Sequence, residues 1–391
     1  MKTSRNAVCR VWISILTLII VLSACVPADI GTPIATAVPF PLTDIPRTES
    51  VSKWLEIYFT DPSAPGAAAY KGGPDQTLAA ALDAARLSVD VAAYSLNLWS
   101  VRDALIRAKH RGVEVRMVME STNMDGQEVQ DLINAEIPIV GDQRQGLMHD
   151  KFIVIDRAEV WTGSMNFTAS GTYNDNNNLI HIRSAEAAAD YTTEFNEMFE
   201  DNLFGSDVRP ATPYPKLTID GISVEIYFSP DDSVGTHLLE LLQGAQESIY
   251  FMDYSFTSSD LGDAIIERAG VGITVSGVMD AGQVASNSDT EYNAFLAAGL
   301  DVRLDGNTGG LMHHKVIIID RSIVVTGSYN FTSSAETLND ENVVILFDPD
   351  AAAQFLDEFQ RVYDQAQQPV DAGLEKFPLY NNRASGLVSE R

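Results

Sequence analysis

The strongest constraint on the fold is an internal repeat. Leu147 opens the stretch LMHDKFIVIDRAEVWTGSMNFT, and Leu311 opens LMHHKVIIIDRSIVVTGSYNFT. Both contain H-x-K-x4-D-x6-G-S-x-N. Every matched position is offset by 164 residues: His149 and His313, Lys151 and Lys315, Asp156 and Asp320, Ser164 and Ser328, Asn166 and Asn330. Six fixed residue types at set spacing arise by chance at about one start position in ten million or fewer. Two gapless copies therefore mark a duplicated structural unit. Such a unit can set two equivalent histidines against each other across a pseudo-twofold axis.

The elements around each copy repeat as well. In the first half, EIYFT from Glu56 alternates like a strand, Thr77 to Arg86 reads as a helix, and SVDVAAYSL from Ser88 reads as a buried strand. Ser100 to Arg111 is a helix closed by Gly112, VEVRMVME a strand, Glu128 to Ala135 a short helix and Ile137 to Val140 a short strand. In the second half, EIYFS from Glu225, a helix over His237 to Gln246, SIYFMDYSF from Ser248, a helix over Asp260 to Ala269 and the strand ITVSGVMD follow in the same order. A matched helix follows each motif, from Ala185 and from Asp350, with Phe195 and Phe359 again 164 apart. Alternating strands and helices predict an α/β fold: two tandem α/β/α sandwich halves, 51–210 and 211–370, related by pseudo-twofold symmetry. The boundary falls near Arg209 to Lys216, where three prolines interrupt the pattern. Two such halves can pack sheet edge to sheet edge and share one site.

The N-terminus reads differently. Lys2, Arg5 and Arg10 precede an apolar run from Val11 to Val21, which ends in Leu22-Ser23-Ala24-Cys25. The run has the length of a signal sequence and is short for a membrane span. Its end resembles the lipobox of bacterial lipoproteins. That resemblance implies cleavage after residue 24, lipidation of Cys25 and a membrane-anchored protein on the extracytoplasmic side; an ordinary secretory signal is the alternative. Residues 25–50, rich in Pro, Thr and Ala, read as a flexible linker, and 371–391 as a solvated tail. Cys9 and Cys25 are the only cysteines, so the body has no disulfide framework. Removing residues 1–24 takes away three positive charges and no negative ones, moving the net charge from −28 to −31. This acidity argues against nucleic acid as a partner, because its binders present basic faces that displace counterions. A locally basic cleft would still be compatible with it.

The motif carries the chemistry. KFIVID and KVIIID are apolar strands, and alternation puts His149 with Lys151, and His313 with Lys315, on one face. G-S-x-N closes the return strand, where Gly permits a tight backbone and Ser and Asn can donate hydrogen bonds. Two imidazoles, two ammonium groups, two hydroxyls and two amides are the parts needed to transfer a phosphodiester group. Lysines and amides hold the non-bridging oxygens, while histidine acts as nucleophile, acid or base near neutrality. No metal and no cofactor is expected, because the lysines neutralise the phosphoryl charge.

These residues resemble the phospholipase D superfamily, whose signature is this motif, usually twice per chain. The likeness covers both motifs and, in order of elements, nearly all of residues 51–365. It implies a phosphohistidine intermediate, with one histidine as nucleophile and the other as general acid and then base. His149 is expected as the nucleophile and His313 as the acid, though sequence symmetry leaves the reverse open. Lys151, Lys315, Ser164, Asn166, Ser328 and Asn330 are expected at the phosphate. Asp156 and Asp320 belong to the signature, but in the family this acid is often structural. An acid further along orients an imidazole in many members; Glu341 fits that role, and its counterpart is Asn177, with Asp175 as the alternative. The expected activity is metal-independent hydrolysis of phospholipid headgroups to phosphatidic acid. An exported nuclease and a cardiolipin-synthase-like phosphatidyltransferase use the same intermediate. The expected partners are a phospholipid or other phosphodiester substrate and a membrane reached through Cys25. A monomer is expected, since one chain carries both motifs.

Overall fold

The computed structural model describes residues 54–367. The leader over 1–24, Cys25, the linker over 25–50 and the tail over 371–391 lie outside the described residues.

The first half contains strands β1 (Leu55–Phe59), β2 (Ser88–Ala93), β3 (Glu114–Met119), β4 (Ile139–Gly141), β5 (Lys151–Ile155), β6 (Glu159–Gly163) and β7 (Asn178–Arg183). Its helices are α1 (Asp75–Ala84), α2 (Trp99–His110), α3 (Gln127–Asn134), α4 (Ala169–Tyr173) and α5 (Ala185–Phe199). The second half contains β8 (Lys216–Ile219), β9 (Ile222–Ser229), β10 (Ser248–Asp253), β11 (Thr274–Met279), β12 (Asp301–Leu304), β13 (Lys315–Ile319), β14 (Ile323–Gly327) and β15 (Glu341–Leu346). Its helices are α6 (Val234–Gly244), α7 (Ser259–Gly270), α8 (Ala281–Ser286), α9 (Tyr292–Ala297), α10 (Ser333–Thr337) and α11 (Pro349–Gln365). The predicted elements are present, with ends moved by up to three residues.

Seven strands form the first sheet in the order β1-β7-β6-β5-β2-β3-β4. Eight form the second, and read from its other end the order is β8-β9-β15-β14-β13-β10-β11-β12. The two orders coincide apart from β8. That strand was not expected from the sequence. It forms a hairpin with β9 across Asp220 and Gly221, both at positive φ, and Asp-Gly is the residue pair such turns select.

Uninterrupted apolar strands imply burial on both faces, and the motif strands show where each face goes. Phe152 and Val154 of β5 point into a core shared by both halves, whereas Ile153 and Ile155 pack beneath α1, α2 and α3. In β13, Val316 and Ile318 join the shared core, and Ile317 and Ile319 pack beneath α6, α7 and α9. The shared core is built around α5 and α11, through Tyr191, Phe195, Met198, Phe355, Phe359 and Val362. The sheets therefore meet face to face across these two helices, not edge to edge. An edge contact would leave in water the sides of α5 and α11 that face the opposite half, whereas the observed packing buries them, Tyr191 against Phe228 and Phe355 against Phe59, at about 25 cal/mol per Å2 of apolar surface.

Candidate active site

The motif residues lie where β5 and β13 begin and where β6 and β14 end. Gly163 (φ +145°) and Gly327 (φ +151°) close the return strands, and a Cβ at either would fall 2.5 Å from Asn178 O or 2.1 Å from Asn342 O. Only glycine lets the backbone of the neighbouring strand approach this closely. The threonines two residues past the motif asparagines then start short helices: Thr168 Oγ1 accepts from Gly171 N–H and Thr332 Oγ1 from Ala335 N–H.

Each motif loop is pinned by the opposite half. His149 N–H donates to Asp340 O at 3.0 Å, and His313 N–H to Asn176 O at 2.9 Å. The side chains cross in the same way. Glu341 Oε2 lies 2.7 Å from His149 Nδ1, 192 residues away in sequence. Asn177 Oδ1 lies 2.9 Å from His313 Nδ1, with Ser164 O at 3.1 Å. The Asn177 amide is oriented by its own network: Nδ2 donates to Gly171 O, so Oδ1 faces the ring and also accepts from Ser164 Oγ. Both Nδ1 atoms therefore carry the proton, and each Nε2 is the atom presented for chemistry.

Lys151 Nζ and Lys315 Nζ donate to the carbonyls of His149 (2.6 Å) and His313 (3.0 Å). An ammonium has three donors, so this bond uses one and aims the head group beside the imidazole. His149, Lys151 and Glu341 are 0 % exposed, His313 2 % and Lys315 1 %. In such a site charge interactions are stronger than in water. Two acids hold the motif backbones from beneath. Glu120 Oε2 accepts from Met148 N–H, and Asp280 Oδ2 from Met312 N–H. Burial pushes the Asp280 carboxyl up to about 7, with Asp305 adding to the rise. Burial also raises Asp340 to about 7, against the Arg144 guanidinium that pairs with it.

The predicted residues fall into three groups. His149, His313, Lys151, Lys315 and Glu341 come together. Ser164 and Ser328 lie behind the histidines, each accepting from the backbone N–H of the following strand, Asn178 and Asn342. Asn166 Oδ1 and Asn330 Oδ1 are buried and accept no hydrogen bond. Asp156 and Asp320 do not join the catalytic centre. Each sits past the far end of its motif strand and accepts from three consecutive backbone N–H groups, Arg86 to Ser88 or Gln246 to Ser248. They staple the loops that enter β2 and β10. Between the two candidates opposite Glu341, Asn177 meets a histidine, whereas the Asp175 carboxylate accepts from Leu311 N–H.

The sequence reading missed a second layer. His314 alternates to the face opposite His313 and belongs to this layer. Its Nε2 meets Glu358, and its Nδ1 accepts from Asn178 Nδ2. At the twofold-related place, Asp150 accepts from Asn342 Nδ2 at 2.6 Å. Thr162 Oγ1 donates to Asn342 Oδ1, and Thr326 Oγ1 to Asn178 Oδ1, so the halves interlock through two threonine–asparagine pairs. The clue was present in the sequence, since Asn178 and Asn342, like Thr162 and Thr326, are 164 apart.

Comparison with known proteins agrees with this geometry. The family described as "Cardiolipin synthase, PLD-like domain" matches residues 78–199 and 238–363. A mitochondrial cardiolipin hydrolase of Chlamydomonas reinhardtii is 27 % identical over 210 residues, 48 % of this chain and 92 % of that protein. A phospholipase D of Rickettsia bellii is 31 % identical over 151 residues, 37 % of this chain and 74 % of that protein. Among solved structures, a phosphatidylserine synthase from Haemophilus influenzae superposes with a TM-score of 0.62 at 14 % identity, over 80 % of this chain and 87 % of that one, a likeness of fold.

Proposed function

We propose that this chain, which belongs to the phospholipase D-like family, hydrolyses the headgroup ester of phospholipids to phosphatidic acid through a phosphohistidine. The observation that carries this reading is the crossed and unequal pairing of the two imidazoles. His149 Nδ1–H faces a buried carboxylate, Glu341, whereas His313 Nδ1–H faces an amide, Asn177. A carboxylate stabilises the positive ring that forms when Nε2 bonds to phosphorus, which suits His149 to the nucleophile's role.

In the first step His149 Nε2 attacks phosphorus, the bond to the headgroup oxygen breaks, and His313, entering the step as the imidazolium, gives its Nε2 proton to the departing alcohol and is left neutral. In the second step His313 Nε2 takes a proton from water, the hydroxide oxygen bonds to phosphorus, and the phosphorus–nitrogen bond breaks. Phosphatidic acid leaves and His149 is restored. Lys151 and Lys315, with Asn166 and Asn330, are placed to hold the non-bridging oxygens as charge builds on them.

The membrane reading belongs to the same proposal: Cys25 carries lipid and tethers the enzyme to its substrate surface. Mass spectrometry of the N-terminal peptide tests it, and Cys25→Ser should move the protein from the membrane to the soluble fraction.

The activity test uses the full chain and the variants His149→Ala and His313→Ala, with EDTA present. Substrates are phosphatidylcholine, phosphatidylethanolamine and phosphatidylglycerol vesicles and, in parallel, single- and double-stranded DNA. Phosphatidic acid released by the wild type and by neither variant is the expected result. DNA cleavage without lipid turnover would move the protein to nuclease chemistry, and inactivity on both would overturn the enzymatic reading.

A further inference from the structure

Each reacting imidazole has an aromatic neighbour outside the repeated motif. β2 runs antiparallel to β5 with Ala93 opposite Lys151, and the ladder continues one residue further, Tyr94 N–H donating to Asp150 O at 3.0 Å. In the other half Asp253 stands opposite Lys315, and Tyr254 N–H donates to His314 O at 2.9 Å. Strand register thus sets a tyrosine beside the middle residue of each H-x-K. The Tyr94 ring meets His149 edge-on, with centroids 5.0 Å apart and planes at 70°. Tyr254 meets His313 at 4.9 Å and 58°. The same rings face the ammonium groups, with Lys151 Nζ 5.3 Å from the Tyr94 centroid and Lys315 Nζ 4.8 Å from that of Tyr254.

We propose that Tyr94 and Tyr254 are positioning residues that hold the histidine and lysine of their own half at one fixed separation. The opposite half grips each imidazole at Nδ1, and the tyrosine ring packs against it from the side. Its negative face draws the ammonium to the same place, and this attraction is strongest where water is excluded. Nε2 and Nζ then address one phosphoryl group together, as a near-attack geometry requires.

Tyr254 is 7 % exposed and its hydroxyl accepts from Gln283 Nε2 of α8 at 2.8 Å. Tyr94 is half-buried and is gripped at its main chain, Asn123 Nδ2 donating to Tyr94 O at 2.8 Å.

The idea rests on the phosphoryl-transfer reading, so it is tested in two ways that fail separately. The first is hydrolysis of bis(p-nitrophenyl) phosphate, a small diester with neither lipid nor base, by full-chain Tyr94→Leu, Tyr94→Phe, Tyr254→Leu and Tyr254→Phe. The leucine variants should lose ten- to a hundredfold in kcat with KM within threefold, and the phenylalanine variants should stay within threefold of wild type in both. The second is NMR of the histidine Cε1–H resonances, which needs no turnover. His149 and His313 should each give one sharp line in wild type and in the phenylalanine variants, and a doubled or exchange-broadened line in the matching leucine variant. Leucine variants with full kcat, phenylalanine variants as poor as leucine, or single sharp lines in every variant would overturn the proposal. A wild type inert on the diester would leave the phosphoryl-transfer reading to the vesicle and DNA assays and the positioning role to the spectra.

Discussion

Replacing Glu341 by glutamine keeps the shape of the side chain and removes its charge. In the wild type Glu341 Oε2 faces His149 Nδ1 at 2.7 Å, and Oε1 accepts from Asn339 Nδ2 at 3.2 Å. A hydrogen bond to a charged group contributes about 1.5–3 kcal/mol and a neutral one about 1. Converting the first bond should therefore cost about 1–2 kcal/mol when the imidazole becomes cationic. The second loss comes from donor count. With the Gln oxygen on His149, its NH2 must face Asn339 Nδ2, and Asn339 cannot turn freely because its Oδ1 accepts from Leu147 N–H. Two facing donors in a buried site add about 1 kcal/mol. The total of about 2–3 kcal/mol corresponds to a roughly 30- to 150-fold fall in kcat. Glu341 reaches the reaction only through His149, so KM should hold. Steady-state kinetics on the preferred substrate read both constants, and single-turnover quench flow should place the loss in formation of the phosphohistidine. A fall of less than threefold, or an effect confined to KM, would refute the assignment of Glu341 as the partner of a ring that becomes positively charged.

The twofold-related change has the opposite character. Asn177→Asp puts a carboxylate beside His313, which favours the charged ring, so the alkaline limb of the kcat–pH profile should move to higher pH. Stability should also depend on pH in a definite direction. Burial raises Asp150 to about 8 and Asp190, Asp231, Asp280 and Asp340 to about 7. In each case the folded chain holds its proton more tightly than the unfolded one, so this contribution is full below about pH 4 and is lost as pH rises through 7 to 8. Buried His181 and His314, whose protonation is disfavoured chiefly by desolvation, act in the reverse sense below about pH 6.5 but are fewer. The urea midpoint should accordingly be higher at pH 6 than at pH 8, and an equal or higher midpoint at pH 8 would contradict the assignment. Asp156→Ala leaves three backbone donors of the α1–β2 loop to water and should lower stability by about 1–2 kcal/mol. Its kcat should stay within twofold of wild type at a temperature where both are folded, as checked by urea titration and kinetics.

Much of the architecture was legible because it rests on local spacing. The 164-residue offset identifies paired strands, paired helices and the His–Lys pairs within each half. Positions two residues apart, such as His149 and Lys151 or His313 and Lys315, share a face because of the strand's own alternation. The Asp220-Gly221 turn before β9 is a local signal of the same kind. The role of Asp156 was not legible, because its partners at Arg86 to Ser88 lie some 70 residues back and the spacing to His149 says nothing about them. The face-to-face packing was also hidden. A strand that is apolar on both sides shows that both faces are covered, but not which element covers each.

The crossing of the catalytic partners lies beyond any single-sequence reading, for a reason that follows from symmetry. In a duplicated chain, the histidine of each half could pair with the orienting residue of its own half or of the other, and both arrangements have the same sequence. The residue types and their pairing are present in the sequence: two histidines, two lysines, and an acid, Glu341, matched by either the amide of Asn177 or the carboxyl of Asp175. That the acid of the second half serves the histidine of the first, and the amide of the first serves the histidine of the second, follows from tertiary packing alone. That choice depends on how the two sheets stack around α5 and α11 and on the cross-half bonds at Asp340 and Asn176. It makes two equivalent histidines chemically unequal, because a carboxylate and an amide stabilise a positive ring to different extents.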